Sequence, residues 1–158
     1  MKLIIAVSSL VLSQASLAGA DALPPADQAA AFKAAGFRQQ GKQWKACEDP
    51  SSSYVPGSIE KVEDLNGDGR PEVIITEGGS FCFGHTGVGY TLLSKQADGK
   101  WKVMSRGTGM LTVLSTKGKD GWPDLEIGGP GFCFPVERWN GSAYKLQRKQ
   151  YEGKPCKG

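Results

Sequence analysis

The sequence is poor in the residues from which common active sites are built. It has one histidine, His85, in 158 residues. A two-histidine metal site is therefore excluded, and any Ser-His-Asp or Cys-His nucleophile system rests on a single imidazole. No G-x-S-x-G, P-loop, dinucleotide-binding or H-E-x-x-H pattern occurs, so the chain lacks the usual nucleophile elbow, phosphate cradle and zincin helix. After residue 20 no stretch of about 18 consecutive apolar residues is found, and membrane insertion is not expected. A formal charge of +3 is too small to imply a nucleic-acid partner without a concentrated basic face. The run of basic residues near the C-terminus, Lys145, Arg148, Lys149, Lys154 and Lys157, reads as a solvated strand.

Glycine is what the chain has in quantity: 22 residues, with 9 prolines beside them, about twice the average glycine share of ~7%. A helical bundle does not tolerate that composition. Lys2, the apolar run from Leu3 to Leu12 and the small residues Ala18-Gly19-Ala20 match an export signal cleaved near Ala20. Residues 1–20 are thus read as signal and 21–158 as a single β-rich domain, periplasmic or secreted. Only Gln28 to Ala35, an Ala-rich stretch stopped by Gly36 with Asp27 or a neighbour as cap, carries a helix signal. Four cysteines, Cys47, Cys82, Cys133 and Cys156, form an even set without C-x-x-C spacing, which in an oxidising compartment means two disulfides.

Self-comparison finds a repeat with a period of about 52 residues. Asp68-Gly69-Arg70-Pro71-Glu72 returns as Asp120-Gly121-Trp122-Pro123-Asp124, and Gly79-Ser80-Phe81-Cys82-Phe83 returns as Gly131-Phe132-Cys133-Phe134. The units cover about 59–106 and 111–150. Each ends in a hairpin marked by Asp98-Gly99 or Asn140-Gly141, and a further hairpin around Gly41 precedes both. Trp44, Trp101 and Tyr144 follow the three turn glycines and are expected to cover sheet faces. The fold class is mainly β: an antiparallel meander or sandwich of two propeller-blade-like repeats with one short N-terminal helix. Four cysteines allow three pairings. Because Cys82 and Cys133 are equivalent, separate partners are favoured, Cys47 with Cys82 and Cys133 with Cys156.

The most specific stretch is Asp64-Leu65-Asn66-Gly67-Asp68-Gly69-Arg70-Pro71-Glu72. Counted from Asp64, side-chain oxygens fall at places 1, 3, 5 and 9 and a glycine at place 6, the spacing with which a loop wraps Ca2+. Asp64, Asn66, Asp68 and Glu72 are the expected side-chain ligands, and Arg70 offers its carbonyl. Place 12 is Ile75, not the bidentate Glu of a helix-loop-helix site, so Glu63, Glu77 or water is needed to complete the shell. In the second unit the aligned segment runs Thr116-Lys117-Gly118-Lys119-Asp120. With lysines in place of oxygen ligands, that copy keeps the turn and binds no metal.

Through these residues the chain resembles the FG-GAP or VCBS-like repeats of extracellular proteins, in which a D-x-N-x-D-G-x-x-D/E loop binds calcium between strands. The resemblance spans roughly Ile59 to Leu146, with too few units for a full propeller. The helix, the Asp-Leu-Asn-Gly-Asp-Gly loop and Gly-Trp-Pro-Asp are also similar to small secreted bacterial proteins of unknown function. Thr86-Gly87-Val88-Gly89-Tyr90 is similar to the S-G-x-x-Y motif of periplasmic lysozyme inhibitors, with Thr86 and Tyr90 in the hydroxyl places. That resemblance implies a partner-binding loop of His85, Thr86, Gly87 and Tyr90 that enters the cleft of a lysozyme-like peptidoglycan hydrolase. The expected function is therefore a calcium-stabilised, non-catalytic binding protein, an inhibitor or immunity protein against such a hydrolase. The alternative is an envelope module that binds peptidoglycan through Trp122 and Trp139. A hydrolase reading rests on His85 alone.

Overall fold

A computed structural model describes residues 23–157; the export signal read over residues 1–20 lies outside the described residues. Helix α1 covers Pro25–Ala34, beginning before the Ala-rich stretch suggested. Pro25 stands in the first turn, where its missing N–H is no loss, and no side chain caps the helix. Asp27 is not a cap; it meets Lys95 at 2.6 Å. Gly36, with φ of 86°, ends the helix in a conformation that a Cβ would oppose.

The rest is antiparallel β. Strands β1 (Arg38–Gln40), β2 (Gln43–Lys45), β3 (Val55–Glu63), β4 (Glu72–Gly78), β5 (Val88–Lys95) and β6 (Trp101–Thr108) form the first sheet in chain order. Between β4 and β5 stand a one-turn helix α2 (Ser80–Phe83) and a 3-10 turn at Gly84–Thr86. The second sheet holds β7 (Met110–Lys117), β8 (Pro123–Gly128), β9 (Phe134–Trp139), β10 (Tyr144–Tyr151) and β11 (Lys154–Pro155), again a meander. Strands β3 to β6 and β7 to β10 are the two repeats, each a four-stranded blade-like sheet. The disulfides join Cys47 to Cys82 and Cys133 to Cys156, the pairing that the equivalence of Cys82 and Cys133 favours. Closing loops of 35 and 23 residues, they stabilise the fold by about 3–4 kcal/mol each in the chain-entropy model.

Side chains alternate across a strand, and both faces of the first sheet are covered. Val73 and Ile75 of β4 and Leu93 of β5 pack with Ala31, Phe32 and Phe37 from the helical side, where Trp44 stacks on Phe32 at 4.9 Å. Ile74 and Leu92 face the other way, onto Leu125, Trp139 and Tyr144 of the second sheet. A strand buried on both sides reads as a continuous apolar run, which is why Val73-Ile74-Ile75 shows no alternation. The molecule is layered: helix and small hairpin, first sheet, second sheet.

The strand directions define two poles. The Asp64–Glu72 loop and the Gly118–Trp122 turn lie at one, where a Cβ on Gly121 would come within 2.6 Å of the Asn66 carbonyl oxygen. At the other, Gly109 passes the chain between the sheets and its N–H bonds the Val88 carbonyl at 2.9 Å. Both disulfides, α2 and the loop before β9 stand at this second pole.

Candidate functional site

The oxygen-rich loop is held by its own side chains. Asp64 accepts the N–H groups of Gly67 (2.8 Å), Asp68 (3.1 Å) and Gly69 (2.8 Å). Asn66 Oδ1 accepts Asp68 N–H at 2.9 Å, and Asp68 Oδ1 accepts Arg70 N–H at 2.9 Å. Gly67 and Gly69 sit at φ of 80° and 81°, the left-handed region that lets the backbone wrap around the carboxylates. Burial works against the Asp64 charge, but the N–H groups of Gly69, Gly67 and Asp68 outweigh it and hold that carboxyl below its ordinary range. The Arg70 guanidinium reaches Asp68 Oδ2 at 2.6 Å and the Lys95 carbonyl at 3.0 Å.

Glu72 opens β4 with 1% exposure. Its Oε2 accepts the Leu65 N–H at 2.7 Å, while Oε1 is buried without a hydrogen-bonding partner. Burial pushes this carboxyl up; Ser94, opposite it in the ladder, and the Leu65 N–H act the other way, and the negative charges of Asp68 and Asp64 add to the rise. No cation is among these neighbours.

The equivalent acid of the second unit is treated differently. Asp124, 0% exposed, takes Arg138 Nε and Nη2 at 2.8 Å each, Arg148 Nη1 at 3.0 Å and the Thr116 hydroxyl at 2.6 Å. The Arg138 hydrogen bonds above all, then Thr116 and Arg148, hold its carboxyl well below the carboxylate range against the cost of burial. A buried charge needs a partner charge and full hydrogen bonding. Asp124 has both; Glu72 has the Leu65 N–H and Ser94 beside it but no partner charge among the described residues.

That contrast tests whether the loop suits a divalent cation. Among the described residues no three His, Cys, Asp or Glu side chains form a ready-made cage, because the loop carboxylates are turned onto backbone N–H groups. Each carboxylate nevertheless has about four acceptor positions, and the orphaned Oε1 of Glu72 lacks what a hard cation supplies. Asp64, Asn66, Asp68, the Arg70 carbonyl and Glu72 are the groups that would hold it. Neither proposed supplement qualifies well: Glu63 pairs with Lys61 at 2.7 Å, and Glu77 is engaged at the far end of β4.

The residues expected to bind a partner are only partly where the motif puts them. His85 is exposed, and Thr86 and Gly87 are half-buried at the second pole. Tyr90 is 5% exposed: its ring lies over Gly107, and its hydroxyl is 3.2 Å from Ser105 Oγ. It therefore stays within the sheet stack and does not reach a partner. Trp122 and Trp139, both 6% exposed, are core rings 5.7 Å apart and present no face to a glycan. The sequence reading missed Phe81 and Phe132, which are 71% and 77% exposed at equivalent places before the disulfide cysteines. Their repetition in both units was the available signal. No protein-family model, curated protein or solved structure matches the chain.

Proposed function

We propose that the protein is a non-catalytic binding module of the periplasm or extracellular space, stabilised by calcium at one pole and binding a partner protein at the other. The observation that carries the reading is the unequal treatment of two equivalent buried acids: Asp124 is neutralised by two arginines, Glu72 by no cation among the described residues. An external Ca2+ held by Asp64, Asn66, Asp68, the Arg70 carbonyl and Glu72 supplies the missing charge and ties the loop to β4. Two disulfides agree with an oxidising compartment.

At the opposite pole, Phe81, Phe132, Val55, Met110 and Tyr151 stand exposed, and the turn that carries His85 and Thr86 lies at the same end of the sheets. Exposed rings beside hydrogen-bond donors are the usual anchors of protein interfaces. A lysozyme-like hydrolase, with paired carboxylates in its cleft, is the partner this donor-tipped pole suits. The test is a calcium titration followed by melting, joined to a cell-wall lysis assay. Calcium should raise the melting temperature of the parent and not of Glu72→Gln. The protein should slow lysis, and Thr86→Ala with His85→Ala should relieve that inhibition. A melting point that ignores calcium refutes the cation role; unhindered lysis refutes the inhibitor role.

A further inference from the structure

A second acid, Glu77, has a role that the repeat does not explain. It is 4% exposed near the end of β4. Its Oε1 accepts Ala46 N–H at 2.8 Å, Cys47 N–H at 3.1 Å and the Tyr54 hydroxyl. Its Oε2 takes no hydrogen bond from any described residue. Glu77 lines a cavity of about 280 Å³ on the helix-side face of the first sheet, with Ile75, Arg106, Phe37 and Phe83 among its walls.

Glycine at position 89 shapes one wall of the cavity. A Cβ there would overlap the Phe83 ring, so α2 sets Phe83 directly over the strand and closes one side. Arg106, exposed on β6, donates Nη2 to the Ala35 carbonyl at 2.8 Å. No described residue takes its remaining guanidinium N–H groups. The space is thus lined by the carboxylate of a residue that is itself only 4% exposed, by a guanidinium with N–H groups to spare, and by the rings of Phe37 and Phe83.

We propose that this cavity binds a small zwitterion with an apolar side chain, namely a free α-amino acid. Its ammonium would meet Glu77 Oε2, its carboxylate Arg106, and its side chain would lie between Phe37, Phe83 and Ile75. A plain cation meets the field of Arg106, a plain anion meets Glu77, and a neutral apolar molecule leaves the Glu77 oxygen dry and unpaired. Only a ligand with both charges satisfies both groups. The cavity is at the lower end of small-molecule sites, which fits one amino acid and not a peptide.

The inference is independent of the cation loop. It is tested on the full mature chain with calcium present, by following backbone amide resonances during titration with L-phenylalanine, phenethylamine and 3-phenylpropionate. The expected result is saturable shifts at Gly89, Thr91, Gly107 and Thr108 with L-phenylalanine, and binding of each half-charged analogue weaker by about tenfold, the loss of one charge-assisted hydrogen bond. Arg106→Gln, which leaves the Glu77 bonds alone, should close the gap between L-phenylalanine and phenethylamine. Equal binding of the three compounds, shifts confined to another surface, no response at millimolar ligand, or an unchanged gap in Arg106→Gln would each overturn the proposal.

Discussion

The two units solve one problem, a carboxylate buried at the start of an inner strand, in opposite ways. In the second unit Asp124 receives Arg138 from the neighbouring strand and Arg148 from the next. In the first, Glu72 faces Ser94 in the corresponding place. Strand geometry is therefore not what distinguishes the copy whose acid lacks a cation from the self-sufficient one. The difference lies in whether the fold carries its counter-charge on a side chain or leaves it to the solvent. On the proposed reading the lysines at 117 and 119 agree, because a copy that carries its own arginines has no need of oxygen ligands.

The largest effect should come from breaking the self-sufficient copy. Arg138→Met leaves Asp124 buried and short of its main partner, and a loss of about 3–5 kcal/mol is expected from urea unfolding. Removing one bridge, Cys133→Ser with Cys156→Ser, should follow, at about 3–4 kcal/mol, visible as a lower melting temperature. Glu72→Gln should do the reverse of Arg138→Met in calcium-free buffer, raising stability by about 1–2 kcal/mol by removing an unpaired buried charge while keeping shape. If Glu72→Gln were destabilising without calcium, the contrast between the units would fail. For the parent, free calcium at about ten times Kd should add about 1.4 kcal/mol, measured against chelator by calorimetry.

Acid separates the two carboxylates by sign. Asp124 has a depressed pKa in the folded state, so its contribution is complete above the unfolded value near ~3.9 and is lost as pH falls toward the folded value. Glu72 has a raised one, so in calcium-free buffer it costs stability above its folded pKa and the cost fades as pH drops toward the unfolded value near ~4.3. Chemical unfolding of the parent, Asp124→Asn and Glu72→Gln between pH 3 and 7 should show the stability gain of Glu72→Gln shrinking on acidification. The penalty of Asp124→Asn should shrink only at still lower pH. The smallest effect is Tyr90→Phe, which removes one hydroxyl contact with Ser105 and should cost about 1 kcal/mol.

Much of this was legible in the chain because it is local. Asp98-Gly99 and Asn140-Gly141 mark their hairpins through short-range turn chemistry, and the repeat of Phe-Cys-Phe separates the two disulfides. The proposed loop ligands share nine consecutive residues. What escaped was set by long-range packing. Trp122, Trp139 and Tyr90 look alike in sequence whether they face water or another sheet, and only the stacking of the two units decides. The role of Glu77 depends on Ala46, Cys47 and Tyr54, 23 to 31 residues away, and no local pattern announces it. Helix α1 starts early because Pro24 and Pro25 favour initiation as well as a break.

The first sheet has no outer side. Leu92 at 0% exposure looks toward the second unit and Leu93 at 0% toward the helix, so adjacent residues of one strand depend on segments from opposite halves of the chain. Cutting the protein at Gly109 would leave neither half a free-standing piece: the front portion would show a raw greasy surface, and the back portion would lose the wall it leans on. A blade duplicated in this arrangement has given up its autonomy, and protease fragments of it should be rescued only by being mixed back together.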